Sequence, residues 1–149
     1  MVCTVRHIAL FVPDLRAAEN FYRRVFGMRL LMREAQLDDG KWYTLRPDKG
    51  WDDAEAAGIE LGMLALKRDD FVLALFRGDI SPGQVYAIGL SMSSGAIAEI
   101  RAGLPSSVQV ETDEQSNLVF QDPYRITWQI HTELEFQSNG EIAGRWLEV

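Results

Sequence analysis

Apolar and polar positions alternate from Val2 to Val12, and β-branched residues are frequent there, so the chain is predicted to open with a strand. The period then changes. Leu15, Ala18, Phe21, Tyr22 and Val25 recur at three- and four-residue spacing, which predicts a helix over Leu15 to Phe26 with one apolar stripe. Asp14 stands where a side chain can cap that helix, and Gly27 where one ends. Met28 to Arg33 and Lys41 to Arg46 read as strand or hairpin around the turn Leu37 to Gly40. Pro47 to Gly58 is a polar, turn-rich loop, and Ile59 to Lys67 and Phe71 to Arg77 are strands joined by Arg68-Asp69-Asp70.

After a linker, Gly78 to Gly83, the pattern starts again. Val85 to Met92 is an apolar strand, and Ser93 or Ser94 can cap a short helix through Ala102 that carries Ile97 and Ile100 inward. Val108 to Thr112, Leu118 to Phe120 and Arg125 to His131 follow as strands. The organisation is βαβββ, linker, βαβββ, with modules at about 2–78 and 84–131 and an extension over 132–149. The expected fold is α+β. It is one domain whose two modules pair mixed, curved sheets face to face around a central cavity. The extension carries apolar Phe136, Ile142, Trp146 and Leu147, and is expected to wrap the domain or a partner subunit.

Composition narrows this picture. At 149 residues, 47% hydrophobic and 25% charged, the chain has the make-up of an ordinary globular domain able to bury a core. No apolar run approaches the roughly 20 residues of a membrane span, so no membrane partner is expected. The formal net charge of −7 repels phosphate backbones and argues against nucleic acid. It serves solubility, and would favour cationic small molecules only if the acids line a cleft. Cys3 is the single cysteine, so no intrachain disulfide can form. Without a signal-peptide pattern at the N-terminus, a cytoplasmic location is expected.

Two stretches, "HIALFVPDLRAAENFYRRVFGMRL" (7–30) and "LVFQDPYRITWQIH" (118–131), resemble the opening strand–helix unit and the closing hairpin of the vicinal oxygen chelate superfamily. That family includes glyoxalase I, extradiol dioxygenases, fosfomycin-resistance transferases and bleomycin-resistance proteins. The resemblance implies the glyoxalase/bleomycin-resistance-like fold, and in many members a homodimer. Its metal-using members take four ligands from four strands lining the cavity. Carried over, these positions fall on His7, Ala74, Ala87 and Gln129. Alanine has no donor atom and a neutral amide is a poor replacement for carboxylate, so the resemblance leads here to a degenerate site, with no metal and no cofactor expected. His7, Gln129 and His131 could still make an improvised one.

Strand parity sorts the remaining candidates. If His7 faces the cavity, so do Ala9 and Phe11, with Val72, Ala74 and Phe76, with Ala87, Gly89 and Ser91, and with Thr127, Gln129 and His131. Trp42 or Tyr43 could form an aromatic wall, the alternative being ordinary packing. Trp51 could serve as a lid or pin its loop to the body. The candidate ligand-binding set is therefore His7, Ala9, Phe11, Trp42, Tyr43, Ala74, Phe76, Ala87, Ser91, Gln129 and His131. It describes a mostly apolar cleft for a small aromatic or cationic molecule. The alternatives are a metal-dependent lyase or dioxygenase of the glyoxalase type, and a metal-free enzyme with His7 or His131 as base.

Overall fold

The computed structural model describes residues 3–79, 84–121, 126–132 and 136–149. Val2, linker positions 80–83, the "DPYR" stretch 122–125 and tail positions 133–135 lie outside these, as do the side chains of Val25 and Phe26.

The first module runs β1 (Thr4–Val12), α1 (Leu15–Phe26), β2 (Arg29–Gln36), β3 (Trp42–Thr44), α2 (Trp51–Ala56), β4 (Met63–Arg68) and β5 (Phe71–Arg77). The second runs β6 (Val85–Ser91), α3 (Ser94–Gly103), β7 (Gln109–Glu114), β8 (Asn117–Gln121) and β9 (Thr127–His131), and a short α4 (Asn139–Ala143) follows in the extension. Rather than two sheets facing each other, the modules share one curved, unclosed sheet in the order β3-β2-β4-β5-β1-β6-β9-β8-β7. Its seam is the antiparallel β1–β6 pair, where Ile8 meets Ile88. On either side the arrangement repeats. Ile8 pairs with Leu73 in the parallel β1–β5 ladder and Ile88 with Trp128 in the parallel β6–β9 ladder.

Local chemistry accounts for the elements. The Asp14 carboxylate accepts from the Ala17 amide at 2.9 Å, and Gly27 ends α1 at φ 62°, a left-handed conformation that glycine adopts without strain. Leu15, Ala18 and Tyr22 of α1 pack on Leu10, Leu64, Leu66, Leu73 and Leu75. One expected stripe position differs: Phe21 is 47% exposed, whereas Glu19 is buried. Glu19 lies one turn from Leu15, and it accepts two hydrogen bonds from Arg33 of β2, at 2.7 and 2.8 Å, which compensate its burial. β4 and β5 read as apolar runs because both faces are covered: Leu64, Leu66, Leu73 and Leu75 meet the helix layer, while Met63, Ala65, Ala74 and Phe76 face the other way. The second module has its own core of Leu90, Ile97, Leu118, Phe120 and Ile130.

The Pro47–Gly58 stretch is not all loop, for it contains α2, started by the Gly50 amide donating to Asp53 at 2.7 Å. Trp51 pins this segment: it packs against the first-module cores and under the Arg33 guanidinium, 5.4 Å from the ring centre. The extension also belongs to this chain's own core. Thr44 donates to the Arg145 carbonyl (2.7 Å) and accepts from the Leu147 amide (2.6 Å), so the tail adds to the free edge of β3. Leu147 is fully buried among Ala35, Leu45, Ala54 and Leu61, and Trp146 sits against Gly140 with Arg46 stacked over it. Leu147 is therefore part of this chain's own core, and Trp146, partly buried, packs on the same chain.

Candidate functional site

The concave face of the sheet carries the rows that parity predicts. His7, Gly89 and Gln129 stand in register across β1, β6 and β9. The imidazole of His7 lies across Gly89, where an added Cβ would come 2.2 Å from its Nδ1 and Cε1 atoms. Glycine there gives the ring a path to the far strand, and Nε2–H donates to Gln129 Oε1 at 2.9 Å. Nδ1 has no hydrogen-bond partner among the described residues. Burial pushes the His7 pKa down to about 4, against a raising effect of the Gln129 bond, and the positive fields of Arg6 and His131 add to the depression. The ring is neutral at physiological pH. The next row is alanine: Ala9 faces Ala74 on one side and Ala87 on the other, and all three are buried under Phe76, Tyr86 and Phe136.

Above these rows lies a cleft with two lobes. One, of about 310 Å³, is lined by His7, Trp42, Ala74, Phe76, Gln129 and His131 from the predicted set, together with Arg6, Glu34, Phe136 and Asn139. The other, of about 490 Å³, is lined by Phe11, Trp42, Phe76 and Gln129, together with Gln36, Glu60, Arg77 and Tyr86. Trp42, Phe76 and Gln129 belong to both.

Residues 4–78 match the family model of the Glyoxalase/Bleomycin resistance protein/Dioxygenase superfamily. The chain belongs to that superfamily. A comparison with curated proteins finds no match. Among solved structures, a hypothetical protein from Bacillus halodurans C-125 aligns at TM-score 0.52 and 13% identity, covering 93% of this chain and 100% of that one. A methylmalonyl-CoA epimerase bound to methylmalonyl-CoA aligns at 0.50 and 17%, covering 91% and 99%. A mutant of 4-hydroxymandelate synthase from Streptomyces coelicolor aligns at 0.54 and 12%, covering 96% of this chain and 53% of that one. At such identities the likeness shows the fold. The superfamily includes enzymes, as the last two names say.

The resemblance implies metal ligands at four positions, His7, Ala74, Ala87 and Gln129. Ala74 and Gln129 hold equivalent places in the two halves, since Ala9 registers with Ala74 as Gly89 does with Gln129. His7 and Gln129 spend their facing atoms on each other, and Ala74 and Ala87 offer none. Among the described residues no group of three or more His, Cys, Asp or Glu lies close enough together to hold an ion. One imidazole and one amide do not fit a first-row divalent cation.

Other expectations fare unevenly. Ala9, Ala87 and Ser91 are buried and do not line either lobe; the alanines form the floor beneath the aromatic rings. Tyr43 is not brought to the cleft. One residue along β3 from Trp42, it points to the opposite face, packs by Leu45 and Leu147, and donates its hydroxyl to Asp39 at 2.5 Å. The space expected over the alanines is partly filled by Phe136, whose ring centre lies 4.6 Å from that of His7.

Arg6 and Tyr86 were missed for one reason: register irregularities between Val5 and His7, and between Ala9 and Leu10, break the two-residue period and turn both side chains inward. Glu34, also missed, is buried and accepts from the Thr44 hydroxyl and from Asn139, through its amide nitrogen (3.0 Å) and side chain (2.8 Å). That clamp holds the extension against the cleft.

Proposed function

We propose that this chain is a metal-independent member of its superfamily that binds a small aromatic or cationic organic molecule in the concave cleft. The observation that carries the reading is the His7–Gln129 hydrogen bond over an alanine floor. At the superfamily's ligand positions His7 Nε2 and Gln129 Oε1 are bonded to each other, and Ala74 and Ala87 lie under aromatic rings. What surrounds them is a cleft in which aromatic walls alternate with polar and charged side chains, among them Arg6, Glu34, His131 and Asn139 in one lobe and Gln36, Glu60 and Arg77 in the other. In this reading Gln129, which lines both lobes, is the polar contact and the buried His7 is its orienting partner. As a base His7 is weak, since burial holds its pKa near 4, and an amide has no useful basicity.

The test joins metal analysis to a ligand screen. Elemental analysis of untagged protein and titration with nickel, zinc, manganese and iron(II) are expected to give no stoichiometric metal. Compounds from an aromatic and cationic panel are expected to raise the melting temperature, an effect reduced in Trp42→Leu. Stoichiometric metal that His7→Ala abolishes would overturn the proposal in favour of a metalloenzyme.

A further inference from the structure

We propose that the aromatic lobe of the cleft selects a small alkylated ammonium cation, a commitment that rests on the binding reading above and narrows it. Four rings meet there. Phe11 and Tyr86 are 4.7 Å apart between centres at 64°, Phe76 and Tyr86 5.6 Å at 61°, and Trp42 and Phe76 5.9 Å at 86°. Rings so steeply inclined stand as walls around a recess rather than as a stack. The recess measures about 490 Å³ and all four side chains line it. Each ring face carries negative quadrupole density, and tryptophan has the most.

Hydrophobicity alone would suit a neutral ligand equally, so charge decides. Glu60 contributes a carboxylate to the same lining, and Glu111 acts on Tyr86 by its charge. The chain as a whole is at −7. Gln36 and Gln129 add only neutral amides. A bare ammonium would surrender three hydrogen bonds with water, while of the acceptors in this lining the Gln129 oxygen already accepts from His7 and the Glu60 carboxylate is already paired with Arg77. An alkylated one has few to surrender, and its methyl groups bring the spread positive charge onto ring faces.

Arg77 is the internal competitor. Its guanidinium pairs with Glu60 at the rim, but both side chains are well exposed, and such pairs are weak enough to be exchanged.

The test is calorimetry on the full chain with choline and with 3,3-dimethylbutan-1-ol, its neutral isostere. Choline is expected to bind at least ~10-fold more tightly than the alcohol. Trp42→Leu, which keeps apolar bulk, should erase that preference. Glu60→Gln should weaken choline alone by roughly 3-fold and Arg77→Gln should strengthen it, since both act on an exposed, screened charge. Equal binding of the two compounds would overturn the cation assignment and leave the small-molecule reading standing. So would binding of a neutral aromatic such as indole, dependent on Trp42, without binding of choline. Silence toward both choline and every neutral compound would sink both readings together.

Discussion

The burial of His7 makes a prediction about acid stability that can be worked through. In the unfolded chain the imidazole titrates near 6.5, while in the fold burial holds it at about 4. A base whose folded pKa is depressed contributes nothing to the pH dependence above 6.5, where both states are neutral. Below 6.5 the unfolded state takes up a proton that the folded state refuses, so stability falls with pH until both are protonated below about 4. At about 1.4 kcal/mol per pH unit, the interval amounts to about 3 kcal/mol lost. That is a large part of the stability of a domain this size. The assay is urea unfolding at half-unit steps from pH 7.5 to 4, on wild type and on His7→Phe. Carboxylates titrate in both, so the difference in slope isolates the imidazole. Wild type should lose stability more steeply than the variant throughout the interval, and a uniform loss in the variant does not blur a slope. Parallel curves, or an NMR titration of the folded His7 ring with a midpoint near 6.5, would refute the argument.

Gly89→Ala should displace the His7 ring and break its bond to Gln129, destabilising by about 1–3 kcal/mol as overpacking does; a melting temperature unchanged from wild type would count against the ring's placement. Leu147→Ala should cost about 2–5 kcal/mol in chemical denaturation, because the side chain is fully buried in the first-module core; a loss below ~0.5 kcal/mol, the range of surface substitutions, would mean that the extension is not docked there. Gln129→Glu puts a carboxylate 2.9 Å from Nε2 and should raise the His7 pKa well above 4, read as an upward move in its NMR midpoint; no movement would show that the two side chains do not meet.

What could be read from the sequence followed from how local its cause is. The bounds of α1 were legible because Asp14 and Gly27 act on their own helix ends, and the faces of β1, β5 and β9 because strand parity needs no distant information. α2 was not, since six residues are too few to show a helical period against the turn residues around them. The burial of Glu19 was not legible either, because its partner Arg33 lies on another element.

The same distinction explains the cleft. Its floor could be found from positions 7, 74, 87 and 129, yet its filling could not. Arg6 and Tyr86 enter through breaks in the β1–β6 register that two strands make jointly. Phe136 arrives from the far end of the chain, held by the clamp of Asn139 on Glu34 and by the burial of Leu147 beyond it. An alanine floor without that ring would be open space; with it, the imidazole of His7 is shut away from water. The acid lability of His7 and the docking of the extension are thus one property. Leu147→Ala, by loosening the tail that carries Phe136, should move the folded His7 pKa back toward 6.5. A midpoint that stays near 4 in that variant would mean that the strands alone bury the ring.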